Sequence, residues 1–403
     1  MLRNSIHRGL VMRERHTTNT AGRGCAAWWA AAVALLAFLP PAVADEPADP
    51  AALVRMLADP EFTVREQASQ ALVGLGREAL EAVVAGTRHP DREIRYRCRR
   101  ILSLIQRNDF ERRLALFVAD PTGQHDYGLP GWQVFRAEFG SSSAARQFYV
   151  EMLRAEPALF EALQQGAAAA AEQLENRTWQ LQQQPLELTG QTPPVASLAA
   201  FLFLLMQPDL EVSDAAANYV LNHCFQGYFE KALYEGPARA LVRQLLGKVV
   251  ERADEWPAYT AIRLALRYDL PEGLQPALRI LQEDAQATVV YLRQYAVLAV
   301  GRFGDARHTE VLEKLLDDAT PCIPAQAVNQ QTFETQLRDV ALAVLWKLHG
   351  EDPRQHGFSN RVQEDPQLGF HPSTLGFNSA EERKAALEQW RAFRAQSRRE
   401  TKP

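Results

Sequence analysis

Residues 57–76 read LADPEFTVREQASQALVGLG, a turn followed by one helix. Asp59-Pro60 ends whatever helix precedes it, because proline disfavours helical backbone at the residue before it. From Val64-Arg65 onward, Ala68, Ala71, Leu72 and Leu75 recur at the spacing of one helical face, and Gly76 stops the run. The same phrase returns three times. Its second copy is Ile94-Arg95, Cys98, Ile101-Leu102 and Ile105. The third is Leu292-Arg293, Ala296, Ala299-Val300 and Phe303, and the fourth is Leu337-Arg338, Ala341, Val344-Leu345 and Leu348. A small residue fixed in an apolar stripe lets a neighbouring helix approach closely. The repeat therefore predicts helices packed on their own kind, an all-α solenoid. Thr63 is the expected N-cap of the first copy, with Glu66 closing a capping box. Arg65 and Arg95 are 30 residues apart, the length of one tight helical hairpin.

The stretches LADPEFTVREQASQALVGLG and HPDREIRYRCRRIL resemble HEAT repeats, over about residues 51–107 and 255–350. The resemblance implies two antiparallel helices per repeat. It also implies a ladder of Asp and Arg between repeats, falling here on Asp59, Arg65, Asp91, Arg95, Arg293 and Arg338, with Asp317 as a further carboxylate. These would be structural roles. The repeat serves many unrelated binders, so it speaks to fold more than to activity.

Five sections are expected. Residues 1–44 read as a signal peptide: arginines, an apolar run from Ala26 to Leu39, Pro40-Pro41, then Ala42-Val43-Ala44 as a cleavage site. Residues 45–113 hold the N-terminal repeats. Residues 114–194 read as an irregular helical section, with an Ala/Gln-rich run and a Pro linker at its end. Residues 195–350 hold the C-terminal repeats, interrupted by a loop from Asp317 to Gln331. Residues 351–403 are a polar tail whose last helix, capped by Ser379 and Glu382, presents Leu387, Trp390 and Phe393 to close the solenoid. With its leader, the chain resembles exported bacterial HEAT-repeat proteins. Periplasmic or cell-surface placement is the matching expectation, with no membrane span after cleavage.

Hydrophobic residues make up 47% and charged residues 23%, the balance of a water-soluble domain. Residues 1–44 carry five arginines against one glutamate, so the net charge of −5 becomes about −9 without them. That disfavours nucleic acid as the partner, since phosphate binding needs a basic surface. Beyond residue 44 the cysteines are Cys98, Cys224 and Cys322, an odd number that allows at most one disulfide. Helix packing must hold the fold.

The sequence contains no His-Glu-x-x-His, no phosphate loop, no Gly-x-Ser-x-Gly and no zinc-type Cys/His spacing. No catalytic residue, metal or cofactor is expected. Two features could carry binding. Arg92, Arg95 and Arg99 share a helical face within a basic run ending at Arg100. Trp132 leads an aromatic-rich region with Phe117, Tyr127, Phe135, Phe139, Phe148 and Tyr149. The alternatives are a solvated helix face for the arginines and an ordinary core for the aromatics. The expected function is a non-catalytic protein-interaction scaffold of the cell envelope. The alternatives are an acidic-polysaccharide or polyanion binder through Arg92–Arg100, and a HEAT-like lyase-type enzyme.

Overall fold

The computed structural model describes residues 49–183, 194–282, 289–328, 331–358 and 362–400. The expected signal peptide, Cys25 and all but the end of the Pro linker lie outside the described residues. The fold is predominantly helical, as expected. Its contacts form two compact units, one ending at Gln106 and the other starting at Arg107.

In the first unit, α1 (Pro50–Met56) packs on α2 (Phe62–Leu75) and on α3 (Leu80–Gly86), and α4 (Arg92–Ala119) begins there. Val54, Leu57, Leu72, Val83, Ile94, Ile101 and Ile105 close around Ala68 and Cys98. All four small-residue positions, Ala68, Cys98, Ala296 and Ala341, are at most 1% exposed. The packing at the second is tight: a Cβ on Gly86 would stand 2.4 Å from Sγ of Cys98. Gly86→Ala is therefore expected to cost about 1–3 kcal/mol by overpacking. Cys98→Ala removes the obstructing sulfur and should recover most of that loss. Urea unfolding of the single and double variants measures this, and an undiminished Gly86→Ala cost in the Cys98→Ala background would refute the close approach.

The arginines of the phrase work differently from expectation. Arg65 Nη1 donates to the carbonyl oxygens of Asp59 (2.6 Å) and Pro60 (2.9 Å). Arg95 Nη1 repeats this on His89 (2.8 Å) and Pro90 (2.6 Å). Each arginine thus ties its helix to its own Pro turn through main-chain oxygens, with no carboxylate partner among the described residues. The aspartates bind main-chain N–H groups instead, Asp59 within its turn and Asp91 as the cap of α4. Asp59 accepts the Glu61 N–H at 2.8 Å, and Asp91 accepts those of Glu93 (2.7 Å) and Ile94 (3.1 Å). Helix α2 starts at Phe62, so Thr63 lies inside it and makes no cap bond. Glu66 instead reaches α4, pairing with Arg97 at 2.7 Å. Farther on, Arg293 pairs with Asp318 rather than Asp317, and Arg338 donates to Gln336 Oε1 at 2.7 Å.

Helix α4 runs 28 residues, well past Ile105, the last residue of the second phrase. No Gly or Pro interrupts it before Asp120-Pro121, and Leu114 and Phe117 are fully buried. In the second unit follow α5 (Trp132–Phe139), α6 (Ser143–Ala155), α7 (Pro157–Gln165) and α8 (Ala167–Gln183). The Ala/Gln-rich α8 buries Ala170, Ala171, Leu174 and Thr178. Helix α9 (Val195–Leu205) is apolar all round and buried from Ser197 to Leu204. Then come α10 (Asp214–His223), α11 (Gly227–Tyr234), α12 (Arg239–Arg252), α13 (Glu255–Tyr268), α14 (Leu274–Gln282) and α15 (Val290–Phe303).

The third and fourth phrases meet directly: α15 packs on α17 (Leu337–Leu348), and a Cβ on Gly301 would stand 2.9 Å from both methyls of Val344. Between them, after α16 (Thr309–Glu313), the expected loop is an antiparallel hairpin of β1 (Pro321–Val328) and β2 (Gln331–Gln336). Phe333 and Thr335 alternate inward on β2, the period of a half-buried strand. In the tail, β3 (Glu364–Asp365) pairs with β4 (Gly369–Phe370). The last helix, α18 (Ala380–Glu400), buries Leu387 and Trp390 and half-buries Phe393, the apolar face read from sequence, and also buries Ala386. Ser379 Oγ accepts the Glu382 N–H at 3.2 Å, as expected of its cap, while Glu382 takes the Asn378 N–H. Cys98, Cys224 and Cys322 are all free thiols. Among the described residues no helix is long and apolar enough to cross a membrane.

Candidate functional site

Helix α4 separates the arginines of the basic run by function. Arg95 is half-buried and held by its turn, as above. Arg97 is held between Glu93 and Glu66, each at 2.7 Å. Arg97 keeps the Glu66 carboxyl below its ordinary range, chiefly by that hydrogen bond. Arg92, Arg99 and Arg100 are exposed, and their guanidinium groups make no ion pair among the described residues. Tyr96 stands among them, four residues from Arg92 and from Arg100, with 62% of its surface exposed.

Beside this face α2 and α4 enclose a groove of about 390 Å³. Its floor is apolar, from Val73, Ile101 and Leu104, and its rim carries Glu66, Gln70, Tyr96 and Arg100. Regular helix packing explains it: Gly74 on α2 brings no side chain to fill the space. The site therefore joins a trough for apolar side chains to a rim on which Arg100 and Glu66 both stand, next to the exposed Arg92 and Arg99 of α4.

Trp132, the other expected anchor, lies in the second unit and is 0% exposed. Its ring meets Phe117 edge-on at 4.6 Å and packs on Tyr149 at 5.1 Å and Phe135 at 5.7 Å. It is a core side chain, and its region is a core too: Phe117, Phe135, Phe148 and Tyr149 are all buried.

Sequence reading passed over a polar arrangement in the loop after α4. The buried Asp120 accepts the Thr122 N–H (2.8 Å) and hydroxyl (2.7 Å) and meets His125 Nδ1 at 3.2 Å. The Thr122 hydroxyl above all holds its carboxyl well below the usual range. His125, Asp126, Tyr127, Gln133 and Arg136 line a cavity of about 500 Å³ there. Tyr127 sits at φ +51°, an uncommon conformation for an aromatic residue. Asp120 can orient His125, yet among the described residues no hydroxyl or thiol is bonded to its far nitrogen and no His, Cys, Asp or Glu group could hold a metal. The five-residue Asp–His separation across a Pro-Thr-Gly turn fits no helical spacing, which is why periodicity gave no signal.

No family model matches the chain, and no curated protein is significantly similar to it.

Proposed function

We propose that this protein is a non-catalytic docking scaffold, built as a solenoid of HEAT-type hairpins, that binds an acidic segment of another protein on α2 and α4. One observation carries the reading. The exposed Tyr96, flanked by the unpaired Arg92, Arg99 and Arg100, borders an apolar-floored groove. Aromatic and arginine side chains are the residues that most often dominate binding energy. Their charge selects an acidic partner, and the floor selects one that also carries aliphatic side chains. The solenoid reading draws support from the four buried small positions and the close approach of Gly301 to Val344. Work in the cell envelope is proposed from the apolar run Ala26–Leu39 and the small residues after it.

A fluorescein-labelled peptide alternating Glu and Leu is the probe, titrated by anisotropy. Reversing Arg92, Arg99 and Arg100 to Glu together is expected to weaken binding by at least about tenfold, since rim charges contribute a few tenths to one kcal/mol each. Tyr96→Ala should weaken it at unchanged salt dependence. Unchanged affinity in both variants would sink the proposal. Heparin decides against the polyanion reading if it binds weakly; tight, steeply salt-dependent heparin binding without peptide binding would favour that reading instead.

A further inference from the structure

The second unit holds a lysine in an unusual setting, unconnected with the groove. Lys347 lies in the last turn of α17 and lines a cavity of about 370 Å³ with Glu351, Asp352, Arg354, Glu364 and Phe370. Two exposed lysines pair with carboxylates: Lys231 with Glu235 and Lys384 with Glu388. Lys347 makes no ion pair or hydrogen bond among the described residues; its Nζ lies over the Phe370 ring, 5.3 Å from the centroid. Gly369, at φ +83°, leaves the amine its space, because a Cβ there would stand 2.7 Å from Nζ. The neighbouring cation Arg354 is already occupied, bound to Asp352 at 2.9 Å and facing Glu364 at 3.5 Å.

From this geometry we propose that Lys347 is a carbonyl-reactive amine that condenses with small aldehydes in the cavity between α17 and the β3–β4 hairpin. Burial first, and then the positive charge of Arg302, pull the amine below the ordinary lysine range, against the opposing pull of Glu364. A lysine so placed is neutral more often, and only the neutral amine attacks. Its lone pair forms the C–N bond as the carbonyl π bond breaks, and one amine proton passes to the carbonyl oxygen, giving a carbinolamine. The second amine proton follows, the C–O bond breaks, and water leaves an imine with no net electron transfer. Glu351 and Glu364, which also line the cavity, supply groups that can relay the protons.

The full chain is incubated with glyceraldehyde and cyanoborohydride across pH 6–10, and adducts are mapped by mass spectrometry. Lys347 is expected to be modified at least about tenfold faster at pH 7 than the exposed Lys231 and Lys384, with a rate midpoint at lower pH than theirs. Lys347→Arg should remove that fast phase and leave the slow one. Modification of Lys347 no faster than of Lys231, or with the same midpoint, overturns the proposal.

Discussion

Arg383→Ala is expected to lower stability by about 3–5 kcal/mol, because it strands a buried carboxylate. Asp339 is 1% exposed and Arg383 7%. The guanidinium grips the carboxylate at both oxygens, 2.8 and 3.1 Å, and also donates to the Glu334 carbonyl at 3.1 Å. Asp339 Oδ2 simultaneously takes the Gln336 N–H at 2.9 Å, closing the capping box of α17. One carboxylate thus joins β2, α17 and α18. Asp339→Ala should cost a similar amount, and a double-mutant cycle should show strong coupling.

Protonation gives this pair a second signature. Burial pushes the Asp339 carboxyl up to about 6, despite the pull of Arg383. The unfolded chain titrates it near 4. Between those values the folded state holds a proton that the unfolded state releases, so this group's contribution falls as pH rises through the window and levels above it. Without Arg383 the carboxyl rises further. The deficit of Arg383→Ala should therefore be smaller at pH 5 than at pH 8, and urea midpoints at both values read it.

Trp132→Ala is the second large effect, again about 3–5 kcal/mol, from lost apolar contact and the cavity left behind. The ring sits between Phe117, Phe135 and Tyr149, and Tyr149 reaches back to donate its hydroxyl proton to the Pro130 carbonyl. Trp132→Phe should cost much less, because the indole N–H has no hydrogen-bond partner among the described residues to lose. Neither change should alter peptide binding in molecules that remain folded. Lost affinity with unchanged stability would restore Trp132 as a binding anchor.

The repeat phrase carried most of what the sequence could say. Its small positions and apolar stripe report on local periodicity, and Ala68, Cys98, Ala296 and Ala341 are buried where the stripe placed them. Helix ends at Pro turns were legible for the same reason. What periodicity cannot supply is the destination of a long polar side chain. Arg65 and Arg95 were expected on carboxylates and lie on main-chain oxygens, which every turn presents regardless of side chain. The Asp339–Arg383 pair spans 44 positions, and Asp120–His125 depends on a turn's shape. The hairpin from Pro321 was missed because its short alternation is split by bulges. At the candidate site the basic run was visible. Tertiary partners alone separate the occupied Arg95 and Arg97 from Arg92, Arg99 and Arg100, which are exposed and make no ion pair among the described residues.

Hydrogen exchange read by mass spectrometry, with and without the Glu/Leu peptide, tests the docking scaffold most directly. The account predicts slowed exchange within residues 66–74 and 96–104, the walls of the groove, and unchanged exchange in the loop from Asp120 to Gly131. Protection confined to that loop, or no protection anywhere at saturating peptide, would contradict it.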